Sequence, residues 1–385
     1  MEKLFYLDNA ATTKAFDENF DLIKKANDEL FYNPSSSYNK SIKTKNELEK
    51  SREIINKLLH GKMGKLYFTS SATESNNTIF SGVHLRAGQT VLISKGEHPS
   101  VYNSAHNLSK KGINVIDSPL TDTGEVDFEE YKKLLNDKTV SLISIIHSSN
   151  ETGRINDIEK LCKYAKSVNP KIIFHSDGVQ AFGKIKVNLM KLGIDIYTIS
   201  AHKIYSVRGI GGLWIKDGII VDPLLLGGGQ ENGFRSSTEN IAGAIAFAYS
   251  AQKVYDDFDK NYEKVLSQKN EFLTKLTNSK VKEYLRVNSL NDNNPYVLSL
   301  SFDNIKGEVL MHALEGDGVL VSTGSACSSK KAGNRILEAM GIKNSFVIGS
   351  IRVSFSPYLD YDFDYIVSCF EKNVLRFEKN VNIKK

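Results

Sequence analysis

The sequence predicts an α/β protein built on a large, mostly parallel sheet, with a smaller α+β unit beside it. Three observations predict it. From about residue 65 to 215, short apolar runs alternate with longer amphipathic ones, the rhythm of strands and covering helices. The 385 residues exceed one typical domain and suggest two lobes. After about residue 239 the rhythm changes to a long helical pattern and then more widely spaced strands.

The strand candidates of the first region are "KLYFTS", "TVLISK", "NVIDS", "TVSLISIIH", "KIIFHSD", "IDIYTIS" and "GGLWIK". Helix-like stretches separate most of them, so the sheet is expected to be largely parallel and covered on both faces. "GIGGLWI" follows "YTIS" closely, which suits an antiparallel neighbour. The helical pattern over 239–278 leads to "YVLSLSF", "GVLVS" and "SIRVSFS", spaced by "GEVLMHALEG" and "NRILEAMG", with a last helix from about 361. The lobe boundary is expected near residue 255. No Pro/Gly/Ser-rich linker separates the halves, so the lobes should pack together.

Composition excludes several classes. The net charge of +5, spread over 50 basic and 45 acidic residues, is too mild and too even to indicate nucleic-acid binding. The lysine-rich piece "NKSIKTKNELEKSREIINK" carries acids at helical spacing and is expected to be a solvated helix face. Cys162 and Cys369 fall in expected helices and Cys327 in a loop of small residues. No pair has CxxC spacing, so neither a disulfide framework nor a metal site is indicated. No run reaches ~18 apolar residues, so no membrane span or signal peptide is expected, and a reducing cytoplasmic setting fits.

The chemistry-bearing stretches lie where the expected strands end. In "FTSSATESNN" a strand gives way to a helix near Ala72, with Ser71 and Glu74 at capping-box spacing. Its free N–H groups and Thr73 would suit an anion, or it is only a well-capped helix. His98, in "KGEHPSV", stands between strand and helix, as a stacking or proton-moving residue or as a cap. Asn150, in "HSSNETG", follows another strand, as a binding group or a turn residue. Asp177, with Gln180 three residues on, ends "KIIFHSD"; a ring-nitrogen partner and a helix N-cap are both open. In "SAHK", Ser200 and His202 could bind a phosphate, and Lys203 could form an imine with an aldehyde if burial strips its proton. "GGGQENGFRSSTEN", with Arg235 and Thr238, either approaches an anion or is a flexible turn; it lacks a Walker lysine. Cys327 is surrounded by small residues and followed by two lysines, which favour an accessible thiolate, though an idle cysteine has the same surroundings. Arg352, on the polar face of a half-buried strand, could grip a carboxylate or be a surface arginine. A helix start for phosphate, an aspartate at one strand end and a lysine at the next are together the parts a pyridoxal phosphate site needs.

At this point the chain resembles the cysteine desulfurases, pyridoxal-phosphate enzymes of aminotransferase class V and fold type I. The resemblance rests on "YLDNAATT", "FTSSATES", "EHPSV", "SNETG", "SDGVQ", "SAHKIY", "GGGQENGFRSSTEN", "STGSACSS" and "SIRVSFS", colinear over nearly the whole chain. It implies a seven-stranded, mostly parallel sheet domain over 15–255 and a small α+β domain over 1–14 and 256–385. It implies that Lys203 holds the cofactor covalently, Asp177 pairs with the ring nitrogen, Gln180 contacts the phenolic oxygen and His98 stacks on the ring. The phosphate would meet Ala72, Thr73, Ser200, His202 and, from a neighbouring subunit of a homodimer, Thr238. Asn150 and Arg352 would bind the substrate carboxylate. Cys327, on a mobile loop, would take the sulfur of L-cysteine as a persulfide, release alanine and pass the sulfur to an acceptor protein for iron–sulfur, thiamine or tRNA sulfuration. A selenocysteine lyase, another class V aminotransferase, or an inactive partner-binding homologue are the alternatives. Three positions depart from the family pattern: Tyr38 after "NPSSS", Ser149 before Asn150, and Ser237 where glycine is usual. The short end after "FEKNVNIKK" leaves a tRNA- or thiamine-sulfuration acceptor as open as an iron–sulfur scaffold.

Overall fold

The computed structural model describes residues 3–289, 292–324 and 334–382. Among the described residues the strands are β1 (Phe5–Tyr6), β2 (Gly64–Thr69), β3 (Thr90–Ser94), β4 (Asn114–Ser118), β5 (Val140–Ser144), β6 (Ile173–Asp177), β7 (Ile196–Ser200), β8 (Gly211–Lys216), β9 (Leu285–Val287), β10 (Val297–Phe302), β11 (Val319–Leu320) and β12 (Ser350–Ser354).

The seven runs read from the first region form one seven-stranded sheet in the order β2-β8-β7-β6-β5-β3-β4. Neighbours pair in parallel except β8, which is antiparallel to both β2 and β7. β3 and β7 are buried at every residue. Their alternate side chains feed two apolar clusters. Leu92, Ile143 and Ile199 join one cluster; Val91, Ile93, Leu142 and Ile196 join another. Because β2 runs the same way as β7, the carboxyl ends of β2, β3, β5, β6 and β7 share one edge of the sheet. That edge is where open α/β sheets place their ligands.

A third apolar cluster gathers Leu7 with residues between Val265 and Val374, around the antiparallel sheet β12-β10-β9 and the parallel pair β1–β11.

Several expectations are corrected. The single long helix over 239–278 is two, Ile241–Asp256 and Phe258–Thr277, broken at Asp257. "GVLVS" gives only the two-residue β11, paired in parallel with β1, and an isolated antiparallel bridge from Ser322 to Arg352 of β12. β9, three residues long, is too short for its alternation to be read in advance. β12 is buried throughout rather than half-buried, because the N-terminal segment covers it: Asn9 Nδ2 donates to Ser354 O (2.9 Å) and Ala10 N to Ser354 Oγ (2.8 Å). The lysine-rich helix Asn39–Leu58 is not wholly a solvated face. Its Arg52 is buried, and Nη1 and Nη2 donate to Glu231 at 2.6 and 3.0 Å.

Candidate active site

The strand ends surround a cavity of about 390 Å³. Lys203 enters it from the short turn Ala201–Lys203 that follows β7. Its Nζ donates to the carbonyls of Ala10 (2.6 Å) and Ala11 (2.7 Å), so the N-terminal segment closes over the lysine. Burial lowers its pKa from 10.5 to about 8, and the positive charge of Arg352 pushes the same way, against Asp8, Asp177 and Glu151. The amine is thereby prepared to act as a nucleophile near neutral pH.

Asp177, at the end of β6, is buried. Its Oδ1 accepts from Val179 N (3.0 Å), so it caps a turn rather than a helix. Its Oδ2 accepts from Asn76 Nδ2 (2.9 Å), and the same Nδ2 lies 2.8 Å from Ser100 Oγ. Ser100 Oγ is 2.8 Å from His98 Nδ1. Asn76 and Ser100 thus link His98 to Asp177, and neither was identified from the sequence. Asn76 lies one helical turn after Ala72, but only the fold shows that this face of the helix looks onto Asp177. His98 lines the cavity at the N-cap of the helix Pro99–Asn107. Desolvation by the surrounding protein lowers its pKa, with the Asp177 carboxylate opposing, which favours the neutral ring.

The helix Ala72–Gly82 starts with Ser71 Oγ accepting from Glu74 N (3.2 Å). The reciprocal half of the capping box is displaced by one residue, since Glu74 accepts from Ser70 N (2.9 Å) and pairs with Arg235 (2.9 Å). A Cβ on Gly211 would lie 2.9 Å from Ala72 N, so only glycine lets β8 pass this close to the helix start. Ala72, Thr73, Ser200 and His202 line one end of the cavity. The His202 ring sits 3.1 Å from Thr12 Oγ1, and burial, aided by the Lys203 charge, lowers its pKa to about 4. Thr238 is exposed and does not line this cavity.

Arg352 is buried and lines the cavity, so it is not a surface arginine. Nη1 donates to Asn150 O (3.0 Å), Nη2 to Asp8 Oδ1 (2.9 Å), and Glu151 Oε1 lies 3.7 Å away. Arg352 Nε and Asn150 Oδ1 are buried without hydrogen-bond partners among the described residues. Behind His98, Glu97 is fully buried. Its Oε1 accepts from Ser94 Oγ and Ile146 N, both 2.6 Å, and burial raises its pKa to about 8. Arg335 Nη2 donates to Glu97 O (2.5 Å), tying the turn that carries His98 to the helix Arg335–Ala339. Glu97, Glu151 and Arg335 were also missed in the sequence; nothing but burial marks them. Cys327 lies outside the described residues.

The chemistry of the donor set fits a flat, anionic aldehyde: helix N–H groups and hydroxyls suit an anion, a buried carboxylate a protonated ring nitrogen, an amide a phenolic oxygen, and an amine the aldehyde carbon. The fold is that of a fold type I transferase. Residues 5–362 match the model of the aminotransferase class-V family. A cysteine desulfurase IscS of Dictyoglomus turgidum is 37% identical, over 97% of this chain and 96% of that protein. IscS 1 of Archaeoglobus fulgidus is 32% identical, over 94% of each. Among solved structures, a NifS-like protein superposes with a TM-score of 0.88 at 31% identity, covering 97% of this chain and all of that one. A NifS-like protein from Rickettsia africae gives 0.84 at 28%, covering 96% and 99%. The chain therefore belongs to the class-V aminotransferase family, and within it to the NifS/IscS-like cysteine desulfurases.

Proposed function

We propose that this chain converts L-cysteine to L-alanine with pyridoxal 5'-phosphate held on Lys203, and carries the sulfur as a persulfide on Cys327. The observation that carries the reading is a half-buried lysine of lowered pKa sharing one cavity with Asp177 and His98. Bound there, the cofactor supplies an electron sink for the substrate's α-carbon.

The residues divide the remaining work. Ala72, Thr73, Ser200 and His202 hold the phosphate, and Asp177, steadied by Asn76, faces the ring nitrogen. Gln180 meets the phenolic oxygen and His98 covers the ring. Arg352 Nε and Asn150 receive the substrate carboxylate, which fixes the substrate's orientation. Lys203 Nζ would move the substrate's α-proton. The Cys327 thiolate attacks the substrate sulfur. The C–S bond breaks, its electron pair stays on carbon and is protonated to give alanine, and Cys327 keeps the sulfur. A protein acceptor then takes it, for iron–sulfur, thiamine or tRNA sulfuration, and a reducing, cytoplasmic setting suits a thiol that must be regenerated.

Exposed Thr238 completes the phosphate site of a second copy, making the working unit a homodimer. We further read residues 15–255 as the cofactor lobe and 1–14 with 256–385 as the second lobe, supported by the cluster of Leu7 with residues between Val265 and Val374, while Ile336, Leu337, Met340, Ile342 and Val347 pack into the cluster of the first lobe. The test is to mix protein, pyridoxal phosphate and L-cysteine, assay alanine, and seek one added sulfur on the Cys327 peptide by mass. Undiminished alanine turnover by Cys327→Ala with cysteine in excess would overturn the persulfide route.

A further inference from the structure

Behind Gln180, which lines the cavity, lies a second lysine that the proposed reaction does not use. Lys184 is 3% exposed and donates from Nζ to Gln180 Oε1 at 2.6 Å. Gln180 is 2% exposed, and its Nε2 donates to Ala10 O at 2.9 Å. Ala10 O is also a partner of Lys203 Nζ. Lys203 and Gln180 therefore converge on a single backbone carbonyl, and Lys184 holds the far side of that glutamine. A buried ammonium or amine so close to Lys203 and Arg352 is costly, and burial with those two charges pushes the Lys184 pKa well below 10.5. The Tyr296 ring, 5.9 Å from Nζ, is its other close neighbour.

An amide can be turned over without changing its shape, exchanging donor for acceptor. Here both choices are fixed from outside. Ala10 O can only accept, so it demands the NH2 side; Lys184 has N–H bonds to give in either protonation state, so it takes the oxygen side. Of the two N–H groups on Nε2, Ala10 O uses one, and the other is left for a group in the cavity. Methionine or leucine at position 184 would fill the same buried space at lower cost, so the amine must serve something besides packing.

We propose that Lys184 is a positioning residue that locks the Gln180 amide with its donor side toward the cavity, so that Gln180 always offers an N–H to the phenolic oxygen of the bound cofactor. This rests on the pyridoxal phosphate reading. A donor at that oxygen spreads its negative charge and lowers the affinity of the adjacent Lys203 nitrogen for its proton. Without Lys184, Ala10 O alone holds the amide, so the turned-over form that presents its oxygen becomes populated and the proton is held more tightly.

The protonation midpoint is read from the visible absorbance of the loaded protein against pH, in wild type, Lys184→Met, Gln180→Ala and the double variant. Facing the same corner are Lys203, Arg352, His202, Asp8 and Asp177, all unchanged across the set. Lys184→Met should raise the midpoint by about one pH unit, a tenfold change in proton affinity. It should add nothing once Gln180 is alanine. Should Lys184→Met fail to fold, Lys184→Gln and Lys184→Glu replace it: the donor should keep the wild-type midpoint and the acceptor should raise it. An unshifted midpoint, or an equal shift in the Gln180→Ala background, overturns the proposal, the latter by showing that charge alone acts. Wild type that never develops visible absorbance with the cofactor overturns the underlying reading instead.

Discussion

Lys203 shows how one residue's chemistry is set by what covers it. Two carbonyls from the N-terminal segment accept from its amine, yet burial still lowers its pKa to about 8. At pH 8 about half its population is uncharged, on the order of a hundredfold more than for an ordinary lysine. An amine-selective reagent applied to cofactor-free protein at pH 8 should therefore label Lys203 ahead of the surface lysines, with a midpoint near 8 by peptide mapping. Labelling that follows the ordinary lysine range would contradict the burial seen here. Ser237 is a second informative residue. Its φ of +134° lies in a region that favours glycine, and glycine is what the family usually places there. Ser237→Gly should raise stability by about 1 kcal/mol, the relieved strain less the greater chain entropy of glycine, as a higher unfolding midpoint.

Between elements, the most exacting contact joins the helix Asn39–Leu58, β2 and the loop after residue 226. Arg52 donates to Glu231 and to Leu66 O (2.7 Å), and Glu231 also accepts from Phe68 N (3.0 Å). Both side chains are almost fully enclosed. Arg52→Met would leave a carboxylate buried without its cation and should cost about 3–5 kcal/mol in denaturant unfolding. Replacing both residues by apolar ones of similar volume should recover much of that loss, because no charge is then stranded. If the single and double variants lose the same stability, the pair is not coupled. This contact also explains why "GGGQENGFRSSTEN" is not a free turn: Glu231 and Arg235 pin it to two different helices.

At the scale of the molecule, a single chain leaves Thr238 and Leu226 exposed, and the reading expects Thr238 to complete the site of a second copy. Sedimentation should give a dimer at micromolar concentration. Thr238→Val should weaken cofactor binding by about tenfold, the worth of one hydrogen bond to a charged group, without dissociating the dimer. A monomer that binds the cofactor with full affinity would rule out shared sites.

The sequence by itself determined the seven-stranded sheet, since strands buried on both faces must be short apolar runs separated by helices that cover them. It also determined the family, through Lys203, Asp177, His98 and the other motif residues, because chemistry constrains residue type more tightly than packing does. Tertiary structure alone decided the partners of those residues. Asn76 beside Asp177, Ala10 over Lys203 and Arg52 against Glu231 are 101 to 193 positions apart, and Lys184, four residues from Gln180, carries no type that chemistry demands. Burial of a polar group is a property of what the chain brings over it from elsewhere. For the same reason β12 looked half-exposed until the N-terminal segment was seen lying across it.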